Sequence, residues 1–501
     1  MNYQLRKFKN LSWPTIVSIV LIISGILLRF FHFLLNRSLW HDEAHLALNF
    51  LSRGPLELFY PLDHNQGAPI LFLLLVEAAT IIFGHSERAL RLVPFLASII
   101  TLPLFYFTCK LFLHRWSVPI AVFIFAFSYR LVYFSQELKQ YSIDVAVVVA
   151  LTYLSFRLLK IRPPISKVFH LLVIFGCFSI FLSHPSIFIL AAISSVLIYL
   201  QVSQRLPLPR FKLLLGIACW GLCFCVNYLI FLRPLSNNAM LANFWIDSFL
   251  PFPVSMDAIK IWFNAGEDYL SYLGFKIRGQ GLVIVLVTVA VVTAMVKGSL
   301  PTILISLFIV IPLAAAALGK YPFSGRLSLF LSPALILLMV KGMQILSKRK
   351  SKYVVGVLAF FLLISSYNFS QFTLFKPIYR EETRSVLAYL NSHHETDDLV
   401  YIYWAAENAV EYYDRNNLLL DDYLKYGNWY FDEAQYKEEI NKLKRHPRVW
   451  FVFTSVWNKE EDFFLSHIDG KLLDKHEEYG ASLYLFSFAD DDSKYLPENQ
   501  D

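Results

Sequence analysis

Long apolar blocks separated by short polar turns dominate the first three quarters of the chain. Blocks of spanning length fall near 14–35, 69–84, 90–112, 118–134, 143–159, 168–183, 186–202, 212–233, 281–297, 301–318, 327–346 and 353–371. The block at 69–84 is short, begins at Pro69 and carries Glu77, so it reads as a helix lying along or dipping into the outer surface. With that block not crossing, the strongly basic turns all share one side, from Arg6, Lys7 and Lys9 to Lys348, Arg349, Lys350 and Lys352. Positive charge marks the cytoplasmic side. The pattern predicts eleven spans, with the N-terminus inside and the C-terminus outside. The first block is too long for a signal peptide and has no small-residue cleavage site, which predicts an uncleaved first span.

From Thr373 the periodicity changes. Val400–Tyr403, Val449–Thr454 and Leu483–Ser487 read as strands, and Glu381–Leu390, Glu433–Lys444 and Glu460–Leu473 as helices. The expected organisation is a polytopic α-helical membrane domain over 1–372 and a small exterior α/β domain over 373–501.

Composition sharpens this division. The chain has 501 residues and is 56% hydrophobic, and its net charge of +7 conceals two opposite parts. Residues 373–501 hold 26 Asp and Glu against 14 Lys and Arg, whereas 1–372 hold 12 against 31. The basic residues are spread over short loops instead of one face, so nucleic acid is not an expected partner. All five cysteines lie in or beside apolar blocks, which argues against an exterior disulfide framework and fits helix packing better than a metal site.

With this topology the acidic residues of the membrane domain collect in the outer loops. The first loop, 36–89, opens with Leu39-Trp40-His41-Asp42-Glu43-Ala44-His45 and should hold short surface helices after Asp42, near Pro55–Phe59 and after Pro69. One acidic residue suffices to cap a helix; a pair beside two histidines and a tryptophan suggests chemistry. The second outer turn, Ser135-Gln136-Glu137-Leu138-Lys139-Gln140-Tyr141-Ser142-Ile143-Asp144, is rich in polar groups, and Glu137 and Tyr141 would share a helical face. His184, before Pro185 in the third turn, is a further candidate. The fourth loop, 234–280, reads as an amphipathic surface segment, and Arg326, in Tyr321-Pro322-Phe323-Ser324-Gly325-Arg326, suits an anionic headgroup at the membrane edge. Such a set fits transfer of a group from a lipid phosphate to an acceptor arriving from outside.

The motifs Trp40-His41-Asp42-Glu43-Ala44, Gly67-Ala68-Pro69-Ile70, Ser86-Glu87-Arg88-Ala89-Leu90-Arg91-Leu92-Val93-Pro94 and Ser135–Ser142 are similar to those of the GT-C glycosyltransferases. The resemblance is to members related to protein O-mannosyltransferases and lipid A aminoarabinose transferases, particularly the bacterial family 39-like ones. It extends over residues 13–335 and implies a polyprenyl-phosphate sugar donor, an inverting reaction, and no general need for a metal. Asp42 would then be the base, with Glu43 orienting or sharing it. Glu137, Lys139 and Tyr141 would complete the site, with Asp144 an alternative to Glu137. Arg91 and Arg326 would bind the lipid phosphate. The chain departs from the aminoarabinose transferases at Gly67-Ala68-Pro69, where those enzymes carry a Lys-Pro-Pro-like start, so a lysine contact to phosphate does not carry over and Gln66 is a poor substitute.

The expected protein is a plasma (inner) membrane glycosyltransferase acting on the outer face, without a cofactor, on a lipid, glycan or protein acceptor. A transporter or flippase would instead place charges mid-span, often in repeated halves. A non-enzymatic binding protein would leave the first two outer loops dispensable.

Overall fold

The computed structural model describes residues 11–160, 165–275, 277–349, 379–414, 423–426, 433–456 and 459–488. Contacts divide the chain into two compact units. One, the membrane unit, comprises Met1–Leu35 and Gly54–Lys376; the other, the C-terminal unit, comprises Asn36–Arg53 and Pro377–Asp501. The start of the first outer loop, which sequence order places with the spans, thus packs with the C-terminal unit.

Among the described residues of the membrane unit, seven helices are long and apolar enough to cross a bilayer, including Trp13–Leu35, Glu87–Phe112, Tyr141–Lys160 and Leu300–Ala317. The crossing expected at 118–134 is a pair of helices bent by 55°. The bend falls at Ser128, whose extended backbone (ψ 120°) stops the first helix. The blocks expected at 168–183 and 186–202 form shorter apolar helices, Lys167–Leu182 and Ser186–Val202, and the expected span 353–371 lies outside the described residues. Ile70–Phe83 is a helix of 14 residues. At 1.5 Å per residue it reaches about 21 Å, short of a hydrocarbon core roughly 30 Å thick.

Lipid-facing apolar side chains are a consequence of this architecture: Leu27, Ile100, Leu222 and Val292 are all more than half exposed on long helices. Between helices, small residues permit close backbone approach. A Cβ on Gly342 would collide with the Leu286 carbonyl, and one on Gly176 with the Trp220 indole, which donates to the Val173 carbonyl at 3.0 Å. Arg29, buried inside the unit, donates to the Gly25 and Ala126 carbonyls at 3.0 and 2.8 Å.

Among the described residues of the C-terminal unit, the strands are β1 Leu399–Tyr403, β2 Tyr423–Tyr426, β3 Arg448–Thr454, β4 Lys471–Glu478 and β5 Ala481–Ser487. They form a mixed sheet of order β2-β1-β3-β5-β4. β1 runs parallel to both β2 and β3, and β5 pairs antiparallel with β3 and β4. The core is aromatic: Tyr401, Tyr403, Trp450, Phe451, Phe453 and Phe464 are all fully buried. The three expected strands and the helices Thr383–His393 and Glu433–Leu443 are present. The helix expected over Glu460–Leu473 ends at His467, and Lys471–Glu478 is instead an edge strand. Its charged, largely exposed run Lys471-Leu472-Leu473-Asp474-Lys475-His476-Glu477-Glu478 blunts an open edge and carries little alternation to betray it.

Candidate functional site

Asp42 and Glu43 lie in the first turn of the helix His41–Ser52, where acidic groups complement the positive end of the helix. Trp40 is the N-cap, in extended conformation, so neither carboxylate serves as the cap residue. The entry to this helix is held by the C-terminal unit to which it belongs. The Ser38 amide and hydroxyl donate to the two carboxylate oxygens of Glu382 at 3.3 and 3.0 Å. The Leu39 amide donates to the Tyr413 hydroxyl at 2.7 Å, and the His41 amide to Glu381 Oε2 at 2.8 Å. His41 Nδ1 lies 2.9 Å from the Ala405 carbonyl. Arg384 adds a bond from Nη2 to the Asn36 carbonyl at 2.7 Å. Hydrogen bonds to charged partners contribute roughly 1.5–3 kcal/mol each, so Asn36–His41 has a well-defined path. Within this helix Glu43 is fully buried and sits 4.0 Å from the Arg37 guanidinium, whereas Asp42 is partly exposed.

Glu381 also accepts from the Ser455 hydroxyl. Burial pushes its carboxyl up to about 7, against the opposing pull of Ser455, the His41 amide and Arg380. The folded unit therefore keeps a proton on Glu381 that the unfolded chain releases near 4.5. Stability from this group is full below about pH 4.5, is lost as pH rises towards 7, and is level above. Glu381→Gln, which stays neutral, is expected to remove that decline. Thermal unfolding of wild-type and variant protein between about pH 5 and 8 should show the difference between them widening with pH and then levelling.

The second outer turn is in the membrane unit, and it is not a solvated helix start. Ser135, Gln136, Glu137, Lys139, Gln140, Ser142 and Asp144 are all buried. A short 3-10 turn, Phe134–Gln136, leads to an extended Glu137 (φ −122°, ψ 134°), and the helix resumes only at Tyr141. The shared helical face expected for Glu137 and Tyr141 therefore does not form, because the chain must leave helical geometry to turn between two packed helices. The Lys139 ammonium donates to the Gln66 amide oxygen at 2.6 Å, which joins this turn to the first outer loop. Asp144 stands in the first turn of Tyr141–Lys160, facing Ser183. Asp144 and Tyr141 act electrostatically on Tyr321, whose hydroxyl donates to the Leu327 carbonyl at 2.9 Å.

His184, in the turn before Ser186–Val202, has both ring nitrogens buried without a hydrogen-bond partner. Burial pushes its imidazole down to about 4, so it is neutral at physiological pH. It borders a small cavity of about 70 Å³ together with Gln66, Gly67, Phe231 and Leu235. A side chain at Gly67 would strike Leu235, which accounts for a glycine at that point of the loop. Arg91 is buried at the start of the second turn of Glu87–Phe112. Arg326 opens a 3-10 segment, Gly325–Leu331, with its guanidinium 5.7 Å from the Trp245 ring, so the fourth loop reaches this late site residue.

Of the nine residues singled out from the sequence, Asp42 and Glu43 belong to the C-terminal unit. Glu137, Arg91, Lys139, Tyr141, Asp144, His184 and Arg326 belong to the membrane unit. Sequence reasoning missed Glu381, Glu382 and Tyr413 as holders of the first loop, and Tyr321 as a neighbour of Asp144. An adjacent acidic pair at the start of a predicted helix, as in Glu381-Glu382, was the one available sign. Among the described residues no three His, Cys, Asp or Glu side chains converge closely enough to hold a metal ion.

Residues 67–245 match the family model of dolichyl-phosphate-mannose-protein mannosyltransferases. No curated protein matches the sequence. Among solved structures, ArnT from Cupriavidus metallidurans in the apo state matches over 93% of this chain and 97% of its own, at 11% identity and a TM-score of 0.55. ArnT from the same organism bound to undecaprenyl phosphate matches over the same shares at 10% identity and a TM-score of 0.51. The apo oligosaccharyltransferase of Archaeoglobus fulgidus matches over 87% of this chain and 69% of its own, at 10% identity and a TM-score of 0.50. The chain is a multi-pass membrane protein with the GT-C fold, and its residues 67–245 carry the sequence pattern of the dolichyl-phosphate-mannose-protein mannosyltransferase family.

Proposed function

We propose that this protein is an inverting glycosyltransferase that moves a sugar from a polyprenyl-phosphate donor to an acceptor on the outer face of the plasma membrane, the C-terminal unit lying outside. The observation that carries this reading is the buried polar turn Ser135–Asp144 within the segment that matches the mannosyltransferase family. A membrane protein does not bury Glu137, Lys139 and Asp144 for packing, because each costs desolvation energy. The match to an ArnT structure holding undecaprenyl phosphate supports a lipid-phosphate donor.

In the proposed reaction an acceptor hydroxyl oxygen attacks the anomeric carbon as the carbon–oxygen bond to phosphate breaks. The bonding pair leaves with the polyprenyl phosphate, and the hydroxyl proton passes to Asp42. Glu43, held by Arg37, orients the turn that carries Asp42. Glu137 and Asp144 are the two candidates for the second acidic group, and Tyr141 and His184 are further candidates for binding the substrate. Lys139, Arg91 and Arg326 offset charge on the departing phosphate. The displacement inverts the sugar's configuration.

The reading is tested by sugar transfer from labelled polyprenyl-phosphate sugars to membrane extracts, where the labelled product identifies the acceptor. A finer expectation concerns the phosphate. Lys139→Ala should raise the donor KM about 10- to 100-fold, the loss of one hydrogen bond to a charged group, with a smaller effect on the acceptor KM. Initial-rate kinetics at varied donor concentration check this. Movement of the labelled lipid from one leaflet to the other in reconstituted vesicles, without any transfer, would favour a flippase.

A further inference from the structure

We propose that a cleft within the C-terminal unit is the acceptor site, and that it takes a carbohydrate bearing neutral or amino groups instead of phosphate. This inference rests on the transferase reading and narrows its acceptor. The cleft has a volume of about 810 Å³, within the range of small-molecule sites. One part of its lining is Trp40, two positions before Asp42, and another is Glu381, whose carboxylate accepts the His41 amide. A molecule bound there lies along the stretch of chain that carries the proposed base.

The rest of the lining has the two components that sugars require. Flat rings come from Tyr479 and Tyr379, with centroids 6.5 Å apart and planes at 44°. Tyr479, at the tip of the β4–β5 hairpin, is 64% exposed. Such rings offer an apolar face to the C–H side of a pyranose and a hydroxyl at the edge. The hairpin is tied down below it, since the Glu382 amide donates to the Tyr479 carbonyl at 3.0 Å. Gly480 has φ +67°, and a Cβ there would collide with the Arg380 carbonyl, so the tip can sit this close only with glycine.

Hydrogen-bond acceptors come from Glu461 and Glu477. The Tyr484 hydroxyl lies 2.9 Å from an oxygen of each, and Ser482 also donates to Glu461. Both carboxylates are thus held in place with oxygens left over, and a carboxylate accepts from the hydroxyls or amine of a sugar without any competing donor of its own. Charge then selects among sugars. Glu381, Glu461, Glu477 and Glu478 line the cleft; Glu381 holds its proton, and Glu477 is paired with Lys475 at 2.7 Å. Among the described lining residues Arg380 is the only basic one, stacked 3.9 Å from the Trp40 ring centroid, so the charges of Glu461 and Glu478 outweigh it and disfavour phosphate and sulfate groups.

The test uses full-length protein in detergent on an array of neutral, amino-bearing and phosphorylated glycans, with Tyr479→Ala, Tyr479→Phe and Glu461→Gln alongside and thermal unfolding as a check on folding. The expected result is binding to neutral or amino glycans, weakened at least tenfold by Tyr479→Ala and by Glu461→Gln, and retained in Tyr479→Phe. Absence of glycan binding, a preference for phosphorylated glycans, or binding indifferent to all three variants overturns the proposal. Transfer of label from polyprenyl-phosphate sugars to a membrane extract by the wild-type preparation is measured in parallel. Transfer without glycan binding sinks the acceptor cleft alone, and glycan binding without transfer from any donor sinks the transferase reading and leaves the cleft a glycan site without an acceptor role.

Discussion

Asp42→Asn is expected to lower the rate of sugar transfer by about 10²- to 10⁴-fold, the range lost when a positioned general base is removed. The substitution is close to isosteric and leaves the Trp40 cap and the bonds from Ser38, Leu39 and His41 untouched. Losing the negative charge at the helix start costs about 0.3–1 kcal/mol. The loss should therefore fall on turnover, with donor KM changed little and the unfolding temperature close to that of wild type. Glu43→Gln makes the informative contrast. It leaves the half of the pair that is fully buried beside Arg37 without its charge, so it should lower stability as well as rate. Comparing transfer rates and unfolding curves of both variants separates a reacting carboxylate from a supporting one.

Asp398→Ala is expected to destabilise the C-terminal unit by roughly 1–3 kcal/mol, the cost of leaving a buried donor without its acceptor. The side chain of Asp398 is fully buried and accepts from Arg448 Nε at 2.6 Å, Arg448 Nη2 at 3.2 Å, the Trp450 indole at 2.8 Å and the Glu395 amide at 3.0 Å. Burial alone would raise its carboxyl. The bonds from Arg448, the Glu395 amide and Trp450 outweigh that and hold it below the ordinary carboxylate range. Truncation leaves the indole N–H of Trp450, the most voluminous fully buried side chain among the described residues, without an acceptor, and takes from Arg448 one of its two carboxylate partners, the other being Glu395 at 2.8 Å. The stabilising contribution of Asp398 is present above about pH 4 and is lost as pH falls through its depressed value. Acid unfolding of wild-type protein should therefore begin in that region, and the variant should lack this component. Because Asn36–Arg53 packs with the C-terminal unit, Asp398→Ala should also reduce transfer, through loss of order in the loop that carries Asp42.

Much of this architecture was legible because its determinants are local. Apolar blocks of spanning length and the continuous apolar runs of β1, β3 and β5 write themselves into short windows of sequence. The short helices of the first outer loop were also foreseeable, each following a turn residue or an acidic start. What escaped depends on partners distant in the chain. No window around Asp42 reveals that Ser38 to His41 are bound by Glu381, Glu382 and Tyr413, more than 300 positions away. The turn at Glu137 read as helical from spacing alone, yet packing between two helices forces an extended residue there. The start of the edge strand, Lys471–Leu473, was read as the end of a helix and the rest of it was not read as a strand, because solvated edge strands carry the charged composition of exposed helices. Gln66 looked like a weak replacement for a phosphate-binding lysine, and instead it holds Lys139 of the next outer turn.

The measurement that bears most directly on the central claim is donor use by the purified wild-type protein. It would be incubated with a panel of labelled polyprenyl-phosphate sugars, and separately with nucleotide sugars, while free polyprenyl phosphate and the labelled product are followed together. Release of polyprenyl phosphate in step with labelled product, with nucleotide sugars inert, is the result expected. Transfer from a nucleotide sugar, or no turnover of any lipid-phosphate sugar by protein that unfolds cooperatively, would contradict it.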